Sequence, residues 1–274
     1  MATILLLSLS GSPGATTAGL ALAQAWERSV ILAEVDTSHS SSVLSGYLRG
    51  QVPWQPANVV NLAVAAARHG SISHNDVWAQ LRPLDADTVD QATRYLLPGV
   101  VDPRTSTGLG RIWADLGQAA ETFDSAGIDV LFDAGRWDVD DPRTPLLHSA
   151  DAVLVVARPS LSATFAIHAR LAEIQASLKS VGHTKHLMLL AVDDPHTGYT
   201  ATEVAATLQL PLIASLPHDP ASAAVYSDGA TAAQRFARKA LPRAAAQLVS
   251  ALRTATGRNR GLVDAALSTE LEGL

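Results

Sequence analysis

The sequence predicts an α/β fold, with one domain built on a mostly parallel sheet that helices cover on both faces. Strand-length apolar segments recur along the chain and alternate with helical patterns. These segments are nearly continuous in apolar character, which is typical of strands covered on both faces. The 274 residues suffice for a large core, and no linker divides them. Strand, helix, strand order predicts right-handed crossovers, with ligands at the carboxyl ends of the strands.

The individual elements follow from apolar periodicity. Strands are predicted at residues 3–9, 30–35, 128–132, 152–157, 186–192 and 212–216. Helices are predicted at residues 16–26, 161–180 and 200–208. In the longest of these, Ile167, Leu171 and Ile174 fall on one face, which predicts that this face packs on the sheet.

Less regular patterns occupy residues 50–107, which we interpret as a variable excursion with one further strand near residues 94–97. The main domain is predicted to span residues 2–253. A C-terminal tail, residues 254–274, is predicted to be disordered or to form a short helix, as terminal segments often do.

Composition excludes several classes of function. The chain has no cysteine, which removes disulfides, zinc-cysteine sites and thiol catalysis and favours a reducing, cytoplasmic location. The first apolar run has only the length of a strand, and no stretch approaches the roughly 20 apolar residues of a membrane span. The net charge of -6 argues against a protein that coats nucleic acid over its whole surface.

The first predicted strand leads into a short glycine-containing loop and then directly into a helix. Such a loop turns backbone N–H groups inward, and the helix N-terminus adds partial positive charge, so the geometry favours a phosphate. An ordinary strand-to-helix turn is the alternative. The loop residues are Gly11, Ser12, Pro13, Gly14, Ala15, Thr16 and Thr17.

Carboxylates follow two later strands at the same predicted edge of the sheet. One strand ends in Glu34, Val35 and Asp36, and another ends in Asp133. Carboxylates placed there can hold magnesium, partly through water, or orient an attacking water toward a γ-phosphate. Asp36 is the candidate for positioning that water.

These motifs together resemble the ParA/MinD family of deviant P-loop ATPases, over most of residues 2–250. The family's loop reads KGGxGKTT, followed by a strand ending in DxD and a later strand ending in Asp. The resemblance implies a P-loop NTPase-like domain that binds ATP, with Thr16, Asp36 and Asp133 around magnesium. It also places the turn of Pro217, His218 and Asp219 near the nucleotide base.

The loop departs from the family in its lysines. Ser10 stands at the position of the signature lysine and Ala15 at that of the phosphate-binding lysine, so the Walker A loop is degenerate. The lost ammonium would meet the β- and γ-phosphates and offset charge in the transition state. Hydrolysis is therefore expected to be weak or absent. Arg136 and Arg158 are candidate substitutes, because the guanidinium of an arginine can bind a phosphate through two N–H groups at once. The alternative for each is a surface arginine that is simply solvated.

The resemblance implies a dimerising switch that positions or partitions DNA or a protein cargo. The alternative is a pseudo-ATPase scaffold that binds no nucleotide. A dinucleotide-binding enzyme ranks last, because Pro13 stands where the second glycine of that motif belongs.

A basic stretch near the C-terminus is a candidate surface for DNA or, less favoured, an anionic membrane. It accompanies an apolar stripe at helical spacing, so a helix packed on the domain with a solvated face is the alternative. Its basic residues are Arg235, Arg238, Lys239, Arg243 and Arg253.

Two other groupings are discounted. His183 and His186 are three residues apart without a carboxylate pair at ligand spacing, which favours a polar connection over a metal site. Asp138, Asp140 and Asp141 are interpreted as a hydrated turn, because no EF-hand spacing follows them.

Overall fold

An eight-stranded sheet forms the centre of the molecule in the computed structural model, which describes residues 2–51, 57–85 and 92–272, with side chains described up to residue 257. The strand order is β3-β4-β2-β5-β1-β6-β7-β8, and of these strands only β3 runs antiparallel to its neighbour. The strands are β1 (Thr3–Ser8), β2 (Val30–Glu34), β3 (Arg82–Pro83), β4 (Arg94–Leu97), β5 (Asp129–Arg136), β6 (Ala152–Ala157), β7 (Leu187–Val192) and β8 (Leu212–Leu216). The predicted α/β class and mostly parallel sheet are confirmed.

Helices cover both faces of the sheet. They are α1 (Ala15–Ala25), α2 (Val59–His69), α3 (His74–Trp78), α4 (Ile112–Ser125), α5 (Thr144–Ser149), α6 (Leu161–Ser180), α7 (Ala201–Leu208), α8 (Pro220–Ser227) and α9 (Ala240–Glu272). A π-helical turn, Val43–Tyr47, follows β2. Strands β4, β6 and β8 and helix α6 have the predicted bounds, and the other predicted elements differ by one to a few residues at their ends.

The core consists of two apolar layers, one on each face of the sheet. Alternate residues of a strand point to opposite faces. In β1, Leu5 and Leu7 therefore join the layer under α4 and α6, whereas Ile4 and Leu6 join the layer under α1 and α9. All four are fully buried, which explains why the strand sequence shows no polar alternation.

The variable excursion adds the far edge of the sheet. Strand β4 pairs with β2 at the position predicted for a further strand, and the two-residue β3 closes that edge. Within this excursion, residues 52–56 and 86–91 lie outside the described residues.

Helix α9 is longer than the sequence predicts. It continues through Thr254 to Glu272 instead of ending before a separate short helix. Its first half packs an apolar stripe of Leu241, Ala245, Leu248 and Leu252 against α1 and β8. Among the described helices, none combines the length and the apolar character that crossing a membrane requires.

Candidate functional site

The loop between β1 and α1 exposes the amides of a helix N-terminus. Gly11 and Gly14 both adopt left-handed backbone conformations, with φ of 56° and 100°, which side-chain-bearing residues rarely adopt. Gly14 is the N-cap of α1, and no side chain of the described residues caps the first amides of this helix. These amides carry the positive end of the helix dipole, so the loop has the geometry of an anion site.

Asp133 lies directly beneath this loop. Its carboxyl group accepts from the Gly135 backbone N–H at 3.1 Å, and the Thr16 side chain lies close enough to lower its pKa. Asp133 pairs in register with Glu34 on the neighbouring strand β2. The structure therefore brings together the loop hydroxyl and the strand-end carboxylate, which lie more than 100 residues apart in sequence.

Asp36 follows β2 and lies beside Asp133. One of its oxygens accepts from the backbone N–H and hydroxyl of Ser38. Its other oxygen lies so close to Gly135 that a Cβ added there would stand 1.8 Å from it. Only glycine fits at position 135, which also has a φ of 52°, so the backbone after Asp133 is shaped around the Asp36 carboxylate.

Glu34 points away from the loop and serves a structural purpose. Its carboxylate accepts from the Ser41 hydroxyl at 2.5 Å, from the Val43 backbone N–H at 3.1 Å and from the Gly99 backbone N–H at 3.2 Å. The side chain is 4% exposed. These bonds occupy both oxygens and hold the π-helical turn against β4, so Glu34 is a cap rather than a ligand of the site.

Burial and crowding of negative charge dominate the electrostatics. Burial raises the pKa of Asp133 to about 7, and the negative charges of Glu34 and Asp36 contribute to this rise, against the hydrogen bonds from Thr16 and Gly135. Burial also raises the pKa of Glu34. The two carboxyl groups that face the site, Asp36 and Asp133, favour a bound cation, because a cation removes their mutual repulsion.

The donor set fits magnesium. Thr16, Asp36 and Asp133 offer hard oxygen donors, and Mg²⁺ is usually held by one or two carboxylates together with waters and phosphate oxygens. No group of three or more His, Cys, Asp or Glu side chains converges as a metal site in the described part of the chain. A magnesium ion here would thus depend on two carboxylates, a hydroxyl and a bound phosphate.

Two clefts flank the loop. The first, of about 260 Å³, lies beside α8 and is lined by Pro13, Thr17 and the predicted turn of Pro217, His218 and Asp219; we call it the α8 cleft. The second, of about 390 Å³, lies in front of the loop, between it and the start of α6; we call it the front cleft. Arg158 lines both clefts.

The comparison with solved structures gives a consistent match over nearly the whole chain. The chain is similar to MinD complexed with Mg-ADP from Pyrococcus horikoshii (17% identity, 94% of this chain and 98% of that one, TM-score 0.68). It is similar to a ParA family ATPase from Chlorobium tepidum (13%, 90% and 98%, TM-score 0.68) and to a complex of a Cyanothece McdA variant with ATP (16%, 92% and 96%, TM-score 0.65). No family model and no curated protein sequence matches the chain.

The chain has the ParA/MinD fold. This finding confirms the resemblance drawn from the loop and the two acidic strand ends. The described part of residues 50–107 contributes β3 and β4 to the same sheet as the core strands.

The two arginines proposed as lysine substitutes occupy different places in this ParA/MinD fold. Arg158 follows β6, lines both clefts and lies 3.7 Å from Asp194. Arg136 is the exposed end of β5 and lines neither cleft. Of the two, Arg158 is therefore the one that lies beside the loop.

A further arginine, Arg143, was missed by sequence reasoning. It is 3% exposed and forms an ion pair with Asp141 at 2.6 Å. The segment of Asp138, Asp140 and Asp141 is thus not simply a hydrated turn, because Asp141 is buried against this guanidinium. No local pattern marks Asp141 or Arg143 in the sequence.

The basic residues divide into two groups. Arg253 contacts Glu27 on the surface, whereas the remaining four are exposed around the start of α9. The apolar stripe of α9 packs on the domain, so the exposed basic side chains face outward. These four are Arg235, Arg238, Lys239 and Arg243.

The paired histidines form a stacked contact away from the loop. The rings of His183 and His186 lie 4.2 Å apart, and the Nδ1 atom of His186 hydrogen-bonds to the backbone carbonyl of Ala150 at 2.9 Å. This arrangement agrees with the polar connection favoured by the sequence.

Proposed function

We propose that this chain is a nucleotide-binding protein of the ParA/MinD type, which binds ATP with Mg²⁺ and acts as a dimerising switch in the cytoplasm. Its cargo is DNA or a protein, positioned or partitioned by the switch. Hydrolysis is weak or absent, since Ala15 replaces the loop lysine. The solved proteins of the same fold include a MinD bound to Mg-ADP, a McdA bound to ATP and a MinC:MinD complex.

One observation carries this proposal: Thr16, Asp36 and Asp133 meet beneath an uncapped helix N-terminus. The helix N-terminus attracts a phosphate, and the carboxylates attract a divalent cation. A magnesium nucleotide supplies both charges in one ligand, so it matches the site better than a free anion, which the carboxylates would repel. In this role Asp36 also orients the attacking water.

Arg158 is the better candidate for the missing cation. It lies in the front cleft with Ser10, whose Oγ atom is buried and has no hydrogen-bond partner among the described residues. Such an unsatisfied atom is costly unless a ligand supplies its partner. A terminal phosphate in the front cleft would lie beside Arg158, and a rotation of the Ser10 side chain toward the cleft would bring its Oγ atom to the phosphate.

The α8 cleft is the proposed place of the nucleotide base. Its walls are largely apolar, and it adjoins the phosphate loop at Pro13. Asp219 caps α8 through Ser222. This cap fixes the turn on one side of the space that a planar base would occupy. His218 is exposed at the rim, where it can stack on a base.

The exposed basic group at the start of α9 is the proposed contact with DNA. The segment that carries these residues adjoins the α8 cleft at Leu241, which lines it. Occupancy of the cleft can therefore influence the basic surface, which is what a switch needs. Contact with an anionic membrane is the less favoured use of the same charges.

Calorimetric titration with ATP tests the proposal, with Mg²⁺ and separately with EDTA. We expect binding that is tighter with Mg²⁺ in the wild type, and a loss of that Mg²⁺ dependence in Thr16→Val. Thr122→Val is the matched control, because Thr122 is an exposed helical threonine of α4 remote from the site. Absence of heat at millimolar nucleotide under both conditions would refute nucleotide binding.

Arg158→Ala tests the substitute cation in the same titration. Loss of a charge-assisted contact with phosphate should weaken ATP binding roughly 10-fold or more, since hydrogen bonds to charged groups contribute about 1.5–3 kcal/mol. Arg136→Ala is the matched control and should bind as the wild type does. Equal affinity in both variants would remove Arg158 from the site.

The second candidate function is a pseudo-ATPase scaffold. The absence of both loop lysines favours it, because the remaining amides and carboxylates could persist as structural features. The titration above separates the two functions: the scaffold binds no nucleotide, and its Thr16→Val variant keeps the wild-type interactions with partner proteins.

A further inference from the structure

We propose that Arg143 is a positioning residue that holds Asp36 and Asp133 in the geometry that a divalent cation requires. This inference rests on the proposed function for the identity of the cation. Arg143 lies far from the loop in sequence. Its guanidinium hydrogen-bonds to the backbone at the ends of β2 and β5, next to Asp36 and Asp133.

All five N–H donors of the Arg143 guanidinium are used inside the protein. Nε and one Nη2 hydrogen bind Asp141 at 2.8 and 2.6 Å. The other three donors bind backbone carbonyls: Val35 at 3.0 Å, Ala134 at 2.5 Å and Arg136 at 2.6 Å. The guanidinium also lies 5.0 Å from the ring centroid of Trp137.

Two of these carbonyls belong to the backbone next to a site residue. Val35 precedes Asp36, and Ala134 follows Asp133. The Val35 N–H in turn donates to the Asp133 carbonyl at 2.8 Å. Arg143 therefore fixes peptide units beside both carboxylates, and any rotation of either unit would break a buried hydrogen bond.

The guanidinium fork is suited to this task in a way that a lysine is not. Its donors diverge in one rigid plane and reach three carbonyls on two strands, whereas an ammonium presents its donors from one point. The negative charge of Asp141 compensates the buried positive charge, which would otherwise be costly. Arg143 thus orients the backbone at the strand ends. Its own positive charge is paired with Asp141 and not with Asp36 or Asp133.

A purely structural role is the competing explanation, and the chain offers a matched control for it. Arg94 also binds an aspartate, Asp85 at 3.0 Å, together with the backbone carbonyls of Ala23 and Trp26. It does so at the start of β4, near the end of the sheet opposite to the site. Arg94→Lys removes a similar fork without touching the strand ends that carry the aspartates.

The first measurement is amide hydrogen exchange in the full-length protein without nucleotide. In Arg143→Lys we expect at least 10-fold faster exchange at Val35 and Gly135, whose N–H groups bond to Asp133, with the rest of the sheet unchanged. Arg94→Lys should leave both amides protected. Wild-type protection of these amides in Arg143→Lys would overturn the positioning role, whether or not the protein binds nucleotide.

The second measurement is ATP affinity with Mg²⁺ and with EDTA. Groups that orient metal ligands usually contribute 10- to 100-fold to metal affinity, so Arg143→Lys should lose roughly that factor with Mg²⁺ and little with EDTA. Equal losses under both conditions, or an equal effect of Arg94→Lys, would overturn the inference. Failure of the wild type to bind nucleotide would instead refute the proposed function. The inference would then concern only the backbone at the strand ends, which the exchange measurement tests by itself.

Asp141→Asn provides a second variant if Arg143→Lys does not fold. It removes one acceptor and the negative charge that hold the guanidinium in its plane, so the carbonyl contacts of Arg143 loosen, and the same exchange and Mg²⁺ effects are expected with a smaller size. Unchanged exchange and unchanged Mg²⁺ dependence in this variant would also overturn the positioning role.

Discussion

Replacing Asp133 by Asn should stabilise the protein without nucleotide at alkaline pH. The Asp133 carboxyl is 1% exposed, and burial with the negative charges of Glu34 and Asp36 raises its pKa to about 7. Folding therefore favours the protonated form. Stability from this group is fully present below the ordinary pKa of 3.8 and is lost as the pH rises through about 7.

The size of the expected stability difference follows from the pKa shift of Asp133. A rise from 3.8 to about 7, at 1.36 kcal/mol per pKa unit, corresponds to about 4 kcal/mol across that range. An asparagine at position 133 keeps an acceptor for the Gly135 N–H and cannot ionise. The variant should therefore be more stable than the wild type above pH 8 by up to about 4 kcal/mol, and nearly equal to it near pH 4.

Urea unfolding with EDTA, in steps from pH 4 to pH 9, measures this difference. Asp102→Asn is the control, since Asp102 is partly exposed and its bonds with Arg104 lower its pKa below the usual range, so it stays ionised over most of the titration. A wild-type stability that does not fall between pH 5 and pH 8, or an Asp133→Asn variant with the same slope as the wild type, would refute the charge-crowding account.

Three further predictions follow from the loop, the site backbone and the surface. Ala15→Lys restores an ammonium at the phosphates and should raise the ATP hydrolysis rate at least roughly 10-fold, measured by phosphate release; an unchanged rate would show that the lysine is not what limits turnover. Gly135→Ala should cost at least about 1–2 kcal/mol in urea unfolding because of its positive φ, and should weaken Mg²⁺-dependent binding because its Cβ meets Asp36; wild-type values would contradict the described backbone. Arg253→Ala breaks an exposed pair with Glu27 and should change stability by less than about 1 kcal/mol, so a larger loss would reveal packing that the ion pair does not explain.

The sequence predicted the fold because its signals are local. Continuous apolar strands, a 20-residue amphipathic helix and a glycine turn between strand and helix each depend on neighbouring residues. Helix α6 has its predicted bounds, Leu161–Ser180. The loop, Asp36 and Asp133 lie together at the edge of the sheet that the carboxyl ends of the strands form. Parallel topology places strand ends at one edge, so the predicted meeting of these residues needed no knowledge of the strand order.

The roles of individual charged residues depended on contacts between distant segments. Sequence spacing grouped Glu34 with Asp36 as an acidic pair, yet the fold turns Glu34 toward Ser41 and Gly99 and leaves Asp36 at the site. Spacing also gave no reason to choose between the two candidate arginines, of which only Arg158 reaches the clefts.

The sequence by itself thus determined the fold class, the lysine-free loop and the residues that meet at the strand ends. Only the tertiary structure decided how Glu34 is used, which arginine adjoins the loop and that Arg143 joins the ends of β2 and β5. The physical reason is that periodicity and turn chemistry are properties of adjacent residues. The partners of a buried charge, such as Val35 and Ala134 for Arg143, are instead set by which strands become neighbours in the folded sheet.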